Sequence, residues 1–149
     1  MRRVIAIVED DPAEADILKS HFARYSSACG EEFDIRWFQR GDVFLTGYQP
    51  IYDVVMMDID LPGITGMAAA QQLRRMDRSV TLVFVTNLAR YAAKGYAVDA
   101  MDFLLKPVSY PSFAGALQRA LMLCLRSRSS DLLINNSDGV YCISTDRVK

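Results

Sequence analysis

The chain is poor in cysteine and histidine. Cys29, Cys124 and Cys142 are its three cysteines among 149 residues, widely separated and odd in number. They make neither a zinc-ligand spacing nor a disulfide framework, and read as free thiols in a reducing, cytoplasmic setting. His21 is the single histidine and falls in the first helical stretch, away from the loops, so a packing or surface role is expected of it. No apolar run is long enough to cross a bilayer, and no membrane partner is expected. Met1-Arg2-Arg3 is basic, but the apolar stretch behind it is short and meets Glu9-Asp10-Asp11, so no secretory signal is read. Formal net charge is only -1, which gives the bulk of the chain no positive excess for nucleic acid. There is no internal repeat, no low-complexity tract and no Gly-x-x-x-x-Gly-Lys loop, which excludes a nucleotide hydrolase of that type.

What is present is a globular composition, 51% hydrophobic, in a length suited to one domain plus a short extension. Short apolar or β-rich runs predict strands at residues 2–8, 51–57, 79–85 and 102–105, and the alternation of Phe33, Ile35 and Trp37 predicts another at 33–38. Between them, apolar residues at helical spacing predict helices. The first opens at Pro12, with apolar residues Ala15, Ile17, Leu18, Phe22 and Tyr25 at helical spacing. Others are read at residues 41–47, 64–76 and 88–98, and a last long helix over 110–125 carries Phe113, Leu117, Leu121 and Leu125 on one stripe. Five strands alternating with helices imply an α/β domain, a five-stranded parallel sheet in the order 2-1-3-4-5 with helices on both faces. The domain is placed at residues 1–126. Residues 127–149 read as a linker, Arg126 to Asp131, and the start of a β-rich second domain, with Asp138-Gly139 as a hairpin signal.

The chemistry gathers at the carboxyl ends of the strands, where open α/β sheets place their sites. Glu9, Asp10 and Asp11 follow the first strand, Asp58 and Asp60 the third, Thr86 the fourth, and Lys106-Pro107 the fifth. In the order 2-1-3-4-5, Glu9, Asp10 and Asp58 converge. Clustered carboxylates require a cation, and an oxygen-only set suits Mg2+, which retains waters and accepts phosphate oxygens. The Thr86 hydroxyl and Lys106 ammonium can each hold a phosphoryl oxygen, and Asp58 is placed to attack phosphorus and form an acyl phosphate. Taken singly these residues have plainer readings. Asp10 or Asp11 could cap the helix at Pro12, Thr86 could cap the next helix, and Lys106-Pro107 could be a helix-start turn. The combination, with each piece at a strand end, favours a site.

The order Val8-Glu9-Asp10, Met57-Asp58-Ile59-Asp60-Leu61-Pro62-Gly63, Val85-Thr86 and Phe103-Leu104-Leu105-Lys106-Pro107 resembles the receiver domains of bacterial two-component response regulators, with their flavodoxin-like fold. The resemblance implies that Asp58 is the phosphoacceptor and that Glu9 and Asp10, rather than Asp11, are the metal-binding pair. It implies further that Asp60 offers a backbone carbonyl to Mg2+, that Thr86 and Lys106 contact the phosphoryl group, and that Phe103 takes the aromatic switch position. Phe103 lacks the hydroxyl of the tyrosine often found there, so its switching would work by packing. Asn87 is larger and more polar than the small residue usual after the threonine.

The stretch Ala97-Val98-Asp99-Ala100-Met101-Asp102 leading into Phe103, with Tyr91-Ala92 before it, resembles receivers that precede a LytTR-type DNA-binding domain. This implies a transcription regulator phosphorylated by a sensor histidine kinase and reaching promoter DNA through an output domain largely outside this chain. It also implies a homodimer through the face of the fourth-helix stretch, fifth strand and last helix, with Tyr91 and Tyr96 as candidate contacts. Such a chain is a phosphoacceptor switch, with self-phosphorylation and autodephosphorylation as its only catalysis. The rival readings are a stand-alone receiver acting through protein contacts and a small aspartate-nucleophile phosphatase built on Asp58-Ile59-Asp60. The phosphatase reading expects the Asp-x-Asp nucleophile motif after the first strand, a later acidic pair and a cap domain, whereas here the acidic cluster comes first, the Asp-x-Asp follows the third strand and no cap domain is read.

Overall fold

Most strands come from apolar runs too short to be helices, and the one at Glu32–Phe38 from alternating apolar and polar residues. The computed structural model describes residues 2–88 and 97–135, with side chains of the last helix as far as Cys124. Strands β1 (Arg2–Val8), β2 (Glu32–Phe38), β3 (Val54–Met57), β4 (Thr81–Thr86) and β5 (Asp102–Leu105) pair in parallel in the order β2-β1-β3-β4-β5. Helices are α1 (Pro12–Cys29), α2 (Gly41–Leu45), α3 (Gly66–Met76) and α4 (Tyr110–Asn135). This is the α/β sheet expected from the sequence. The chain leaves β1 in opposite directions toward β2 and β3, which opens a crevice beyond their carboxyl ends.

Side chains alternate across the strands, and each parity has its own core. Ile5, Ile7, Val54, Met56, Val83 and Val85 face Leu18 and Phe22 of α1 and Phe113 and Leu117 of α4. Ala6, Val8, Val55, Met57, Leu82 and Phe84 face Phe44 of α2 and Ala69, Ala70 and Leu73 of α3. Helices cover both faces, so β3 and β4 are buried at every position and read as unbroken apolar runs.

The helix ends follow local chemistry. Asp11 caps α1 by accepting the Ala13 N–H at 2.9 Å, Pro12 follows at the first turn, and Gly30 closes the helix with φ +75°. Thr65 caps α3 by accepting the Ala68 N–H at 3.1 Å, which starts that helix at Gly66 rather than Ile64. Arg74 is buried on α3 and donates to the carbonyls of Val98 (2.7 Å), Asp77 (3.3 Å), Val80 (2.7 Å) and Asp99 (3.1 Å). One guanidinium thereby satisfies the turn before β4 and the turn before β5 together.

Smaller shifts end α2 at Leu45 and start β4 at Thr81, and two further expectations need correction. β3 begins at Val54, not Ile51, because Asp53 closes the ladder with its side chain. Its carboxylate accepts the Val4 N–H at 2.9 Å while its own N–H donates to the Val4 carbonyl at 2.8 Å. The helix expected to stop at Leu125 continues to Asn135, through the stretch read as a linker. Arg126 to Asp131 is rich in Ser and Arg but contains neither Gly nor Pro, so nothing in it forces a stop. Most of the helix expected over 88–98 (residues 89–96, with Tyr91 and Tyr96) lies outside the described residues, as does the hairpin expected at Asp138-Gly139.

Candidate functional site

The crevice at the carboxyl ends of β1 and β3 holds an open cleft of about 570 Å³, lined by Glu9, Asp10, Asp11, Glu14, Asp58, Asp60, Leu61, Pro62, Asn87, Lys106 and Pro107. Its acidic wall starts where β1 stops. Glu9 is buried at 2% exposure, and its polar groups are engaged. Its N–H donates to the Phe38 carbonyl at 2.9 Å, and its carbonyl accepts the Trp37 indole N–H at 2.7 Å. Carboxylate oxygen Oε2 accepts the Asp11 N–H at 3.1 Å, and Oε1 accepts the Lys106 ammonium at 2.6 Å. Burial, only partly offset by Lys106 and the Asp11 N–H, pushes the Glu9 carboxyl up to about 7.

Asp58 is the first residue after β3 and is also buried. Its N–H donates to the Val8 carbonyl at 3.0 Å, which stitches the end of β3 to the end of β1. Oδ1 accepts the Asp60 N–H at 3.1 Å, and Oδ2 accepts Lys106 at 2.8 Å. Gly66, at the start of α3, permits this packing. A Cβ there would stand 1.9 Å from the Asp58 carbonyl oxygen, so only glycine lets the helix lie this close.

Lys106 reaches both carboxylates from the turn after β5. Burial alone would lower its ammonium, but the ion pairs with Asp58 and Glu9 outweigh that and hold it above the ordinary lysine value. One cation thus faces two carboxylates, with exposed Asp10 beside them. Carboxylate oxygens of Glu9, Asp10 and Asp58 lie within 4.8 Å of one another. Two ligands on an octahedral Mg2+ at about 2.1 Å stand roughly 3–4 Å apart, so these three residues could hold such an ion after a small closing of the cluster. Asp11 caps α1 and is not part of the cluster.

The other expected residues are placed less uniformly. Thr86 is fully buried at the end of β4, its hydroxyl accepts the Leu88 N–H at 3.3 Å, and it does not line the cleft. Asn87 lines it instead, exposed. Phe103 is half-buried on β5, with its ring 6.1 Å from that of Phe84. Asp60 is exposed at the rim. Tyr91 and Tyr96 lie outside the described residues. His21 packs as expected, against Tyr110 and Phe113, but it is not remote from the loops, since its Nε2 lies 2.9 Å from the Val108 carbonyl just beyond Lys106-Pro107. The reading from sequence missed Glu14 in the cleft wall and the Trp37 bond to Glu9. The first follows from helical spacing after Asp10, whereas the second joins residues 28 positions apart and leaves no local signal.

The response regulator receiver domain family matches residues 5–118, most of the chain. The chain belongs to the response regulator receiver family. A curated relative, the sensory transduction protein LytT of Oceanobacillus iheyensis, is 33% identical over 84 residues, 54% of this chain and 34% of the relative. The matched receiver segment thus spans about a third of that relative's length. Among solved structures, the response regulatory domain of protein mrkE from Klebsiella pneumoniae superposes with a TM-score of 0.72 at 24% identity, covering 83% of this chain and 98% of that one. The response regulator TrrA from Thermotoga maritima, solved in complex with Mg(2+)-BeF, matches with a TM-score of 0.65 at 21% identity, covering 79% and 98%. These likenesses carry the fold. LytT- and LytR-type proteins recur among the curated relatives, as expected for a receiver of the LytTR class. No described helix of this receiver is long and apolar enough to cross a membrane.

Proposed function

We propose that this receiver accepts a phosphoryl group on Asp58 from a sensor histidine kinase and controls transcription through a LytTR-type DNA-binding output domain. The observation that carries the reading is the position of the Lys106 ammonium, 2.8 Å from Asp58 and 2.6 Å from Glu9 at the floor of an open acidic cleft. A buried carboxylate with a cation at one oxygen and a backbone N–H at the other is oriented for in-line attack.

In the proposed reaction an Asp58 oxygen forms a bond to phosphorus as the donor's P–N bond breaks, and the leaving imidazole nitrogen takes up a proton. Glu9, Asp10, Asp58 and the backbone carbonyl of Asp60 would hold Mg2+, which supplies charge neutralisation for the phosphoryl oxygens when bound. Lys106 turns from Glu9 to a phosphoryl oxygen, and the Thr86 hydroxyl leaves Leu88 for another. Hydrolysis of the acyl phosphate by water returns the carboxylate and inorganic phosphate. Phe103, on the neighbouring strand β5, repacks in response without a hydroxyl to satisfy. The change is read out on the face of residues 88–98, β5 and α4, with Tyr91 and Tyr96 as proposed contacts of a homodimer. We place the receiver at residues 1–126 and treat the rest of the chain, beginning with the end of α4, as leading to the output domain. The setting proposed is the cytoplasm.

Incubation with Mg2+ and acetyl phosphate, followed by intact-mass measurement, tests the assignment. Wild type is expected to gain one phosphoryl group and Asp58→Asn none. Equal labelling of both would remove Asp58 as the acceptor. Failure of wild type to bind beryllofluoride with Mg2+ would remove the switch.

A further inference from the structure

We propose that Trp37 is a positioning residue for the cation site, its indole N–H fixing the peptide that joins Glu9 to Asp10. The inference rests on the cation-binding reading of those two residues. Glu9 lies just beyond β1, where the regular ladder with β2 ends at Val8 opposite Phe38. Its N–H still reaches the Phe38 carbonyl, but its carbonyl has left the ladder. Trp37 supplies the missing donor from its side chain, at 2.7 Å. Peptide groups are planar, so holding that carbonyl also fixes the direction in which Asp10 leaves. On the far side, the Asp11 N–H is held by the Glu9 carboxylate at 3.1 Å. Asp10, exposed and with its own side chain open to the cleft, is therefore suspended between two held peptides.

Trp37 is itself braced. Its ring is half-buried against the core shared by α1 and α4, and Lys19 of α1 places its ammonium 4.5 Å from the ring centroid. Trp37 thus bonds the start of the acidic loop at Glu9 through its N–H and meets Lys19 of α1, the helix that follows that loop, through its face. A half-buried indole seeks some acceptor wherever it lies. The particular feature here is that its acceptor is the peptide between two carboxylates of one cation site.

Trp37→Phe keeps the ring and removes the donor. Mg2+ alone is titrated calorimetrically into the full chain and into Trp37→Phe, at a temperature where circular dichroism shows both folded. The variant is expected to bind about tenfold more weakly, the lower end for residues that orient metal ligands. Its rate of phosphorylation by acetyl phosphate should return to that of wild type at saturating Mg2+. Equal affinity in the two proteins overturns the proposal, and so does a rate that excess Mg2+ does not restore, because that marks general loosening of the fold. If the variant does not fold, wild type decides through the emission of its single tryptophan. Mg2+ must change that emission with the calorimetric midpoint, and Asp10→Asn must abolish the change, whereas flat emission overturns the proposal. A wild type that binds no Mg2+ defeats the underlying cation site and this inference with it, and is recognised because the loss is not specific to the variant.

Discussion

Lys106 is the residue on which the charges of the cleft balance. It gives one positive charge to two buried carboxylates, Glu9 and Asp58. At such distances an ion pair is worth about 1–4 kcal/mol, depending on exposure. Removing the ammonium leaves that negative charge for another cation to collect. Lys106→Ala is therefore expected to bind Mg2+ at least about fivefold more tightly than wild type, a gain of about 1 kcal/mol. It should also be labelled more slowly by acetyl phosphate, since the phosphoryl group loses a partner. Calorimetry and intact-mass kinetics check the two halves, and an unchanged Mg2+ affinity would show that Lys106 does not compete with the ion. The residue types at this site were legible from the sequence because each ends an apolar run. The pairing of Lys106 with Glu9 was not, since 97 positions separate them and only the folded sheet joins them.

At the scale of elements, the turn between α3 and β4 shows how polar groups keep an α/β layer closed. Asp77 accepts the Tyr48 hydroxyl at 2.7 Å, and its other oxygen accepts the Ser79 hydroxyl and the N–H groups of Ser79 and Val80. Burial alone would raise its carboxyl, but these donors outweigh burial and hold it below the ordinary aspartate value. The unfolded chain then binds a proton more readily than the folded one. The contribution to stability is fully present above the unfolded value of about 3.9 and is lost as pH falls through the lower folded value. Tyr48→Phe is expected to cost about 1–2 kcal/mol at neutral pH and to lose less stability on acidification than wild type does. Urea unfolding at pH 7 and near pH 3 measures both, and parallel losses in the two proteins would exclude the Tyr48 bond as the cause. Element order and type were readable from period-2 and helical spacing. Two boundaries shifted where one side chain took over a backbone role, as Asp53 does at β3 and Thr65 at α3.

For the whole molecule, the question is what the proposed phosphorylation moves. Leu105, at the end of β5, is 51% exposed one residue before Lys106, and so sits on the proposed dimer face while adjoining the site. Mg2+ with beryllofluoride is expected to shift the chain from monomer to dimer in sedimentation velocity. Leu105→Glu should remain monomeric under the same conditions yet still accept phosphate on Asp58. A Leu105→Glu protein that dimerises like wild type would move the contact elsewhere. The sheet that supports this face was foreseeable, but the length of the helix beside it was not, because a Ser- and Arg-rich stretch without Gly or Pro has the composition of a linker and the backbone freedom of a helix.

That helix has a geometric consequence. Its 26 residues extend about 39 Å at 1.5 Å per residue. A continuous helix transmits angle as well as distance, so the point of attachment at Asn135 holds a fixed azimuth relative to the sheet. One residue added between Arg126 and Asn135 would turn that attachment by about 100° and advance it by about 1.5 Å, while seven would bring it nearly back into phase. In this segment, chain length is a rotational setting.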